Sequence, residues 1–281
     1  MAFLRSGDLA PISFAPPPLP PRLVALGRRL PKLGLALVLP TFILCVWQGA
    51  SLGGFMRPQT LPSPEAVALT LVDLLRGGDI GAAFAASARR LAAGFALGGS
   101  AGFLFGLWLG MSRRAEAYLG PLLRAFASVP SLGWLPIFIL IFGIEETLKI
   151  VIVAKAVFVP MALQTIAGVR AIAPAHVEAA RVMRLRRITF VRRLVIPASL
   201  PDLFTGLRLA LSHAFVALVV VEMLAGTDGI GYLMTWGRTL FQTDVVMSGM
   251  IVVGVTGFVL DRALARIEWR IVRAYAPERA A

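Results

Sequence analysis

The sequence offers little from which to build a catalytic or metal centre. It has one cysteine, Cys45, two histidines and three lysines. A single cysteine cannot form an internal disulfide, and no Cys/His spacing suits a metal ion. Cys45 sits inside an apolar run and reads as packing. The lysines follow Pro31, Leu148 and Ala154, so there is no Gly-Lys dipeptide and no phosphate-cradling P-loop. His176 and His213 stand far apart with no nucleophile motif beside either, which argues against an intramembrane enzyme. Charge is scarce as well, at 15% of residues, where a soluble domain carries about a quarter. Acidic residues number 15 against 28 Lys and Arg, for a net charge of +13. The basic residues fall between apolar runs and form no basic face, so the excess does not point to nucleic acid.

What the chain has in abundance is apolar length. Hydrophobic residues make up 58% of it, with a mean hydropathy of +0.80. The runs 33–56, 91–112 and 125–144 carry no charge, and each exceeds the ~18 residues that mark a spanning helix. Run 150–169 is interrupted only by Lys155, run 203–226 by Arg208 and Glu222, and run 245–260 is bounded by Asp244 and Asp261. These are six candidate spans in an all-α, polytopic membrane protein. With the N-terminus inside, inner segments hold twenty Lys and Arg and outer segments six, so both termini are expected in the cytoplasm.

The organisation that follows is simple. Residues 1–32 hold seven prolines and five basic residues and read as a disordered basic tail. Their apolar stretch starts too late for a signal peptide. Segment 33–56 is the first span, and 57–90 is a periplasmic segment with an amphipathic helix over 61–84. A core, 91–273, follows, and 274–281 form a cytoplasmic tail. The second span carries Gly94, Gly98, Gly102, Gly106 and Gly110 on one face, where another helix backbone can approach closely.

The inner loop 170–201 is too long for a turn and too regular for a linker. A short helix is expected after Pro174, a break near Arg186, and a second short helix stopped by Pro197. Seven arginines and the apolar Val177, Val182, Met183, Leu185, Phe190 and Leu194 decorate it, as a docking element would require. The stretch Glu178-Ala179-Ala180, three residues, Arg184, nine residues, then Leu194-Val195-Ile196-Pro197 resembles the EAA loop of ABC importer permeases. Arg184 stands where that pattern has glycine, which puts the turn geometry in question. SVPSLGWLPIFILIFG, ASLPDLFTGLRLAL and VVVEMLAGTDGIGYL extend the resemblance, and with it the chain is similar to the nitrate/sulfonate/taurine branch.

The resemblance implies a type I ABC importer permease architecture and coupling to a separate ATPase through His176, Glu178, Ala179, Ala180, Arg184, Leu194 and Pro197. It implies three partners: an ABC ATPase subunit that hydrolyses the ATP, a periplasmic solute-binding protein, and a second permease copy as a homodimer. The chain itself is expected to bind no cofactor and no metal, to catalyse no reaction, and to reside in the bacterial inner membrane. The expected solute is a small anion such as nitrate, taurine or another sulfonate. A secondary transporter or a permease for a heterocyclic vitamin precursor is the alternative. Lys155, Gln164 and Glu222 are the candidates for the translocation path. Lys155 lies roughly 9 Å along the helix from Lys149, which marks the outer end of its span, and Glu222 is placed to moderate its charge. Trp134 reads as packing.

Overall fold

The computed structural model describes residues 38–53 and 60–275. The expectations for 1–32, for the ends of the first span (33–37 and 54–56) and for 276–281 lie outside those residues. No strand occurs among the described residues. Two units separate along the chain, Met1–Met56 and Arg57–Ala281. The first contributes α1, an apolar helix described over Val38–Leu52.

In the second unit α2 is Pro64–Gly77, the amphipathic helix expected between spans. Its ends follow from local chemistry. Ser63 caps the start by accepting from Ala66 N at 3.1 Å, and Pro64 takes a position that needs no N–H. Gly78, at φ 85°, closes the other end in the left-handed region. The long helices are α3 (Asp79–Met111), α6 (Glu146–Arg170), α9 (Ile196–Ala225) and α11 (Thr243–Tyr275). Each meets the length and hydropathy of a span. Between them lie α4 (Arg113–Ser128), α5 (Leu135–Phe142), α7 (Pro174–Val182), α8 (Arg187–Phe190) and α10 (Ile230–Thr239).

Three expectations about spans need correction. Run 125–144 is not one helix: α4 and the Ser131–Phe142 stretch meet at 91°. Pro130 is the cause, because its ring disfavours helical backbone at Val129, which is extended at φ −88°, ψ 116°. Pro197 does not stop the second loop helix. Residues Arg187–Ala225 run on as one span, with a π-helical turn at Val191–Val195 just ahead of Pro197. That wider turn takes up the clash between the proline ring and the carbonyl four residues back. The second and sixth spans are also longer than their uncharged runs, since α3 begins at Asp79 and α11 continues past Asp261.

The centre of the unit is α6, with α3 packed along one side and α9 along the other. Val153 and Val157 of α6 meet Ala210, Ala214 and Leu218 of α9. Leu148, Ile152 and Ala156 meet Ala217, Val221 and Ala225, and α5 lays Leu135, Phe138 and Phe142 over that cluster. The outer faces stay apolar, as at Leu140, Val216, Leu224, Val255 and Phe258. A helix facing lipid rather than water shows this distribution.

Candidate functional site

Loop 170–201 folds as a helix, a turn and a helix. Pro174 opens α7, where its missing N–H costs nothing. At the far end Arg184 N donates to Arg181 O at 2.9 Å and Leu185 N to Ala180 O at 3.2 Å. This pair of bonds, with Arg184 at φ 50°, is a Schellman ending in which the left-handed residue is usually glycine. The turn that a glycine would permit is therefore made by Arg184. His176, Glu178 and Ala179 are exposed, Ala180 is buried, and Leu194 and Pro197 are half-buried. Beyond them the loop presents Val182, Met183 and Ile188 at 70% exposure or more.

The five stripe glycines of α3, Gly94, Gly98, Gly102, Gly106 and Gly110, face α6. An added Cβ at Gly102 would lie 2.6 Å from Phe158 O, and one at Gly106 would lie 2.5 Å from Ala162 O. At Gly94 and Gly110 the obstructing groups are the side chains of Val153 and Val169. The stripe thus brings two helix backbones of one subunit together.

Four residues N-terminal to Gly94 on the same face is Arg90, only 2% exposed. Its Nε and Nη2 donate to Glu146 at 2.7 and 2.6 Å, and its Nη1 donates to Glu222 Oε1 at 2.8 Å. It also donates to the carbonyl of Asp228 at 3.0 Å and pairs with the Asp228 carboxylate. Ser87 donates to Glu222, Gly231 N donates to Glu222 Oε2, and Lys149 Nζ donates to Glu146 at 2.7 Å. Gly229, at φ 101°, brings its backbone so near Glu222 that a Cβ would lie 2.5 Å from the carboxylate. Five charged groups thus tie α3, about three turns into its length, and the start of α6 to the end of α9 and the loop that follows it. A buried arginine needs such a set, because an unpaired charge there is costly; the fork meets Glu146 with two parallel bonds.

This cluster corrects two expectations. Arg90 and Lys149 belong to the interior, with Lys149 1% exposed, and not to outer loops. Glu222 answers to Arg90 rather than to Lys155. The sequence did hold a signal: continuing the glycine stripe back one step lands on Arg90, and the step after it on Ala86 beside Ser87.

Lys155 is 7% exposed. Its Nζ donates to Val129 O at 2.6 Å, at the elbow between α4 and α5. It stands 4.9 Å from the Phe126 ring centroid and 5.8 Å from that of Trp134, within cation–π range. Gln164 lies further along α6, against Gly206 of α9. The three path candidates therefore do not converge: Glu222 joins the charged cluster, Lys155 joins the elbow, and Gln164 sits at a helix–helix contact.

Residues 102–273 match the family model described as binding-protein-dependent transport system inner membrane component. The chain is 33% identical to the putative aliphatic sulfonates transport permease protein SsuC of Bacillus subtilis (strain 168), over 84% of this chain and 86% of that one. It is 28% identical to the taurine transport system permease protein TauC of Escherichia coli (strain K12), over 82% and 85%. It is 31% identical to the nitrate import permease protein NrtB of Leptolyngbya laminosa, over 67% of each chain.

Proposed function

The chain belongs to the family of binding-protein-dependent transport system inner membrane components, the permeases of ABC importers, and from that premise we propose what it carries and how it is driven. The solute is small and carries an anionic group, as an aliphatic sulfonate, taurine or nitrate does, which the names of its relatives suggest. The permease lies in the bacterial inner membrane with both termini in the cytoplasm and works as a homodimer. A separate ATPase hydrolyses ATP, and a periplasmic binding protein delivers the solute. This chain binds neither ATP nor a metal.

The observation that carries the coupling role is the loop 170–201. Val182, Met183 and Ile188 are exposed on an arginine-rich element that the Arg184 turn holds in a fixed shape. Apolar side chains flanked by charge are suited to a protein cleft. Within it His176, Glu178 and Ala179 form the contact surface, Ala180 lets α7 lie close to its own subunit, and Leu194 and Pro197 link the loop to α9. Motion of the ATPases then passes along the continuous helix Arg187–Ala225 to Glu222 and the charged cluster at the other end. Glu222 positions the α9–α10 loop, while Lys155 and Gln164 remain the path candidates.

The reading is tested by Ala179→Asp, which places a charge in the contact surface at an exposed position. Membrane insertion and yield are expected to hold, while uptake and solute-stimulated ATP hydrolysis both fall at least about tenfold, as for a like-sized interface loss. Full stimulation by the variant would overturn the docking role. Purified complexes are expected to contain two permeases for two ATPases.

A further inference from the structure

Lys155 and Trp134 form a corner that holds donors and no counter-charge. Among the described residues no carboxylate pairs with Lys155, and its hydrogen bond goes to a neutral carbonyl, that of Val129. Trp134 Nε1 is the one buried side-chain nitrogen or oxygen among the described residues without a hydrogen-bond partner. An ammonium in a membrane span and an indole N–H left unpaired are each costly. The ammonium lies 5.8 Å from the indole centroid and 4.9 Å from that of Phe126, and the two rings pack on each other at 4.9 Å as one aromatic wall. Glu222, the acidic residue expected to moderate the lysine, is held by Arg90 instead.

We propose that Lys155 Nζ and the Trp134 Nε1–H are an oxyanion subsite of the translocation path, for the sulfonate or nitrate group of the solute. The proposal rests on the anionic solute named above and assigns the atoms that meet it. A sulfonate or nitrate oxygen is acceptor-only and negative, so it satisfies both donors at once. In the structure the Val129 carbonyl takes the acceptor position. Ser128, Val129 and Pro130 are exposed at the elbow, and α4 and α5 meet there at 91°. Movement of the elbow away from α6 withdraws the Val129 carbonyl and uncovers the donors. The aromatic walls keep the contact from becoming a tight charged cage, which lets the solute leave.

The test uses the complete complex of permease, ATPase and binding protein in vesicles, with radiolabelled taurine, ethanesulfonate and nitrate as probes at saturating binding protein. Uptake and ATP hydrolysis are measured together for Lys155→Met, Lys155→Arg and Trp134→Phe, the last of which keeps the ring and removes the N–H. Uptake by Lys155→Met and by Trp134→Phe is expected to fall roughly tenfold, the size of one hydrogen bond to a charged group. Solute-stimulated hydrolysis is expected to stay within about twofold of the parent for these variants, so more ATP is spent per solute, and Lys155→Arg recovers part of the uptake. Normal uptake by both Lys155→Met and Trp134→Phe overturns the subsite. So does a parallel fall in uptake and hydrolysis that Lys155→Arg does not relieve, because that marks a structural role. Failure of the parent complex to import taurine, ethanesulfonate and nitrate, with import of a solute that carries no anionic group, overturns the anionic solute and the subsite with it but leaves the docking loop standing.

Discussion

Gly98 and Gly99 are neighbours on α3 whose replacement by alanine should have opposite effects. A Cβ at Gly98 would stand 2.8 Å from both the carbonyl carbon and the Cα of Ala154, and nearer still to its oxygen. These are backbone atoms of α6, so no side chain can turn aside. The two carbons alone require the helices to part by about 0.6 Å to reach the 3.4 Å at which ordinary contact begins, and the nearer oxygen requires more. Overpacking of this kind costs about 1–3 kcal/mol. A Cβ at Gly99 would meet only Val157 Cγ1 at 3.7 Å, an ordinary contact, so the better helix propensity of alanine, about 1 kcal/mol, is kept. Both variants gain that propensity, so their difference is the overpacking alone. At roughly 2–4 °C per kcal/mol for a large chain, Gly98→Ala should melt about 5 °C below Gly99→Ala. Thermal unfolding of the purified protein in detergent reads this directly. Equal melting temperatures would refute the close approach of α3 and α6.

The charged cluster gives a second test. Arg90→Met leaves Glu222 buried beside Ser87 without its cation and should cost about 3–5 kcal/mol, read as a lower melting temperature. Arg90→Met with Glu222→Gln should recover part of that loss, and strict additivity would mean the two residues do not interact. Arg184→Gly relieves a left-handed arginine worth about 1 kcal/mol and should keep solute-stimulated ATP hydrolysis. Arg184→Val, β-branched at the same backbone angle, should reduce it. Gly229→Ala meets both a φ of 101° and the Glu222 carboxylate, and should lower the melting temperature by more than Gly254→Ala, where nothing stands within 4 Å.

Much of the helical scaffold could be read from uncharged length, because lipid demands it of any spanning helix. Helix ends could not, since charged residues stay helical once paired: Arg90 and Glu146 extend α3 and α6 beyond their apolar runs. The elbow at Pro130 and the passage through Pro197 show why proline alone is ambiguous. One breaks its helix where the preceding residue turns extended, and the other is absorbed by a π turn. Loop 170–201 was legible from spacing, yet its turn required the backbone, because nothing in the word Arg184 announces a positive φ. Lys155 stood out by charge in an apolar run. Its partners, Val129 and Trp134, come from a different helix pair, and no local pattern connects them.

This permease is expected to move solute only when a separate ATPase drives it through loop 170–201. Vesicles containing the chain with its ATPase and a loaded binding protein measure it most directly. Uptake should require ATP, the ATPase and the binding protein, and should survive collapse of the proton and sodium gradients. Uptake by the chain alone, driven by an ion gradient and indifferent to ATP, would contradict it.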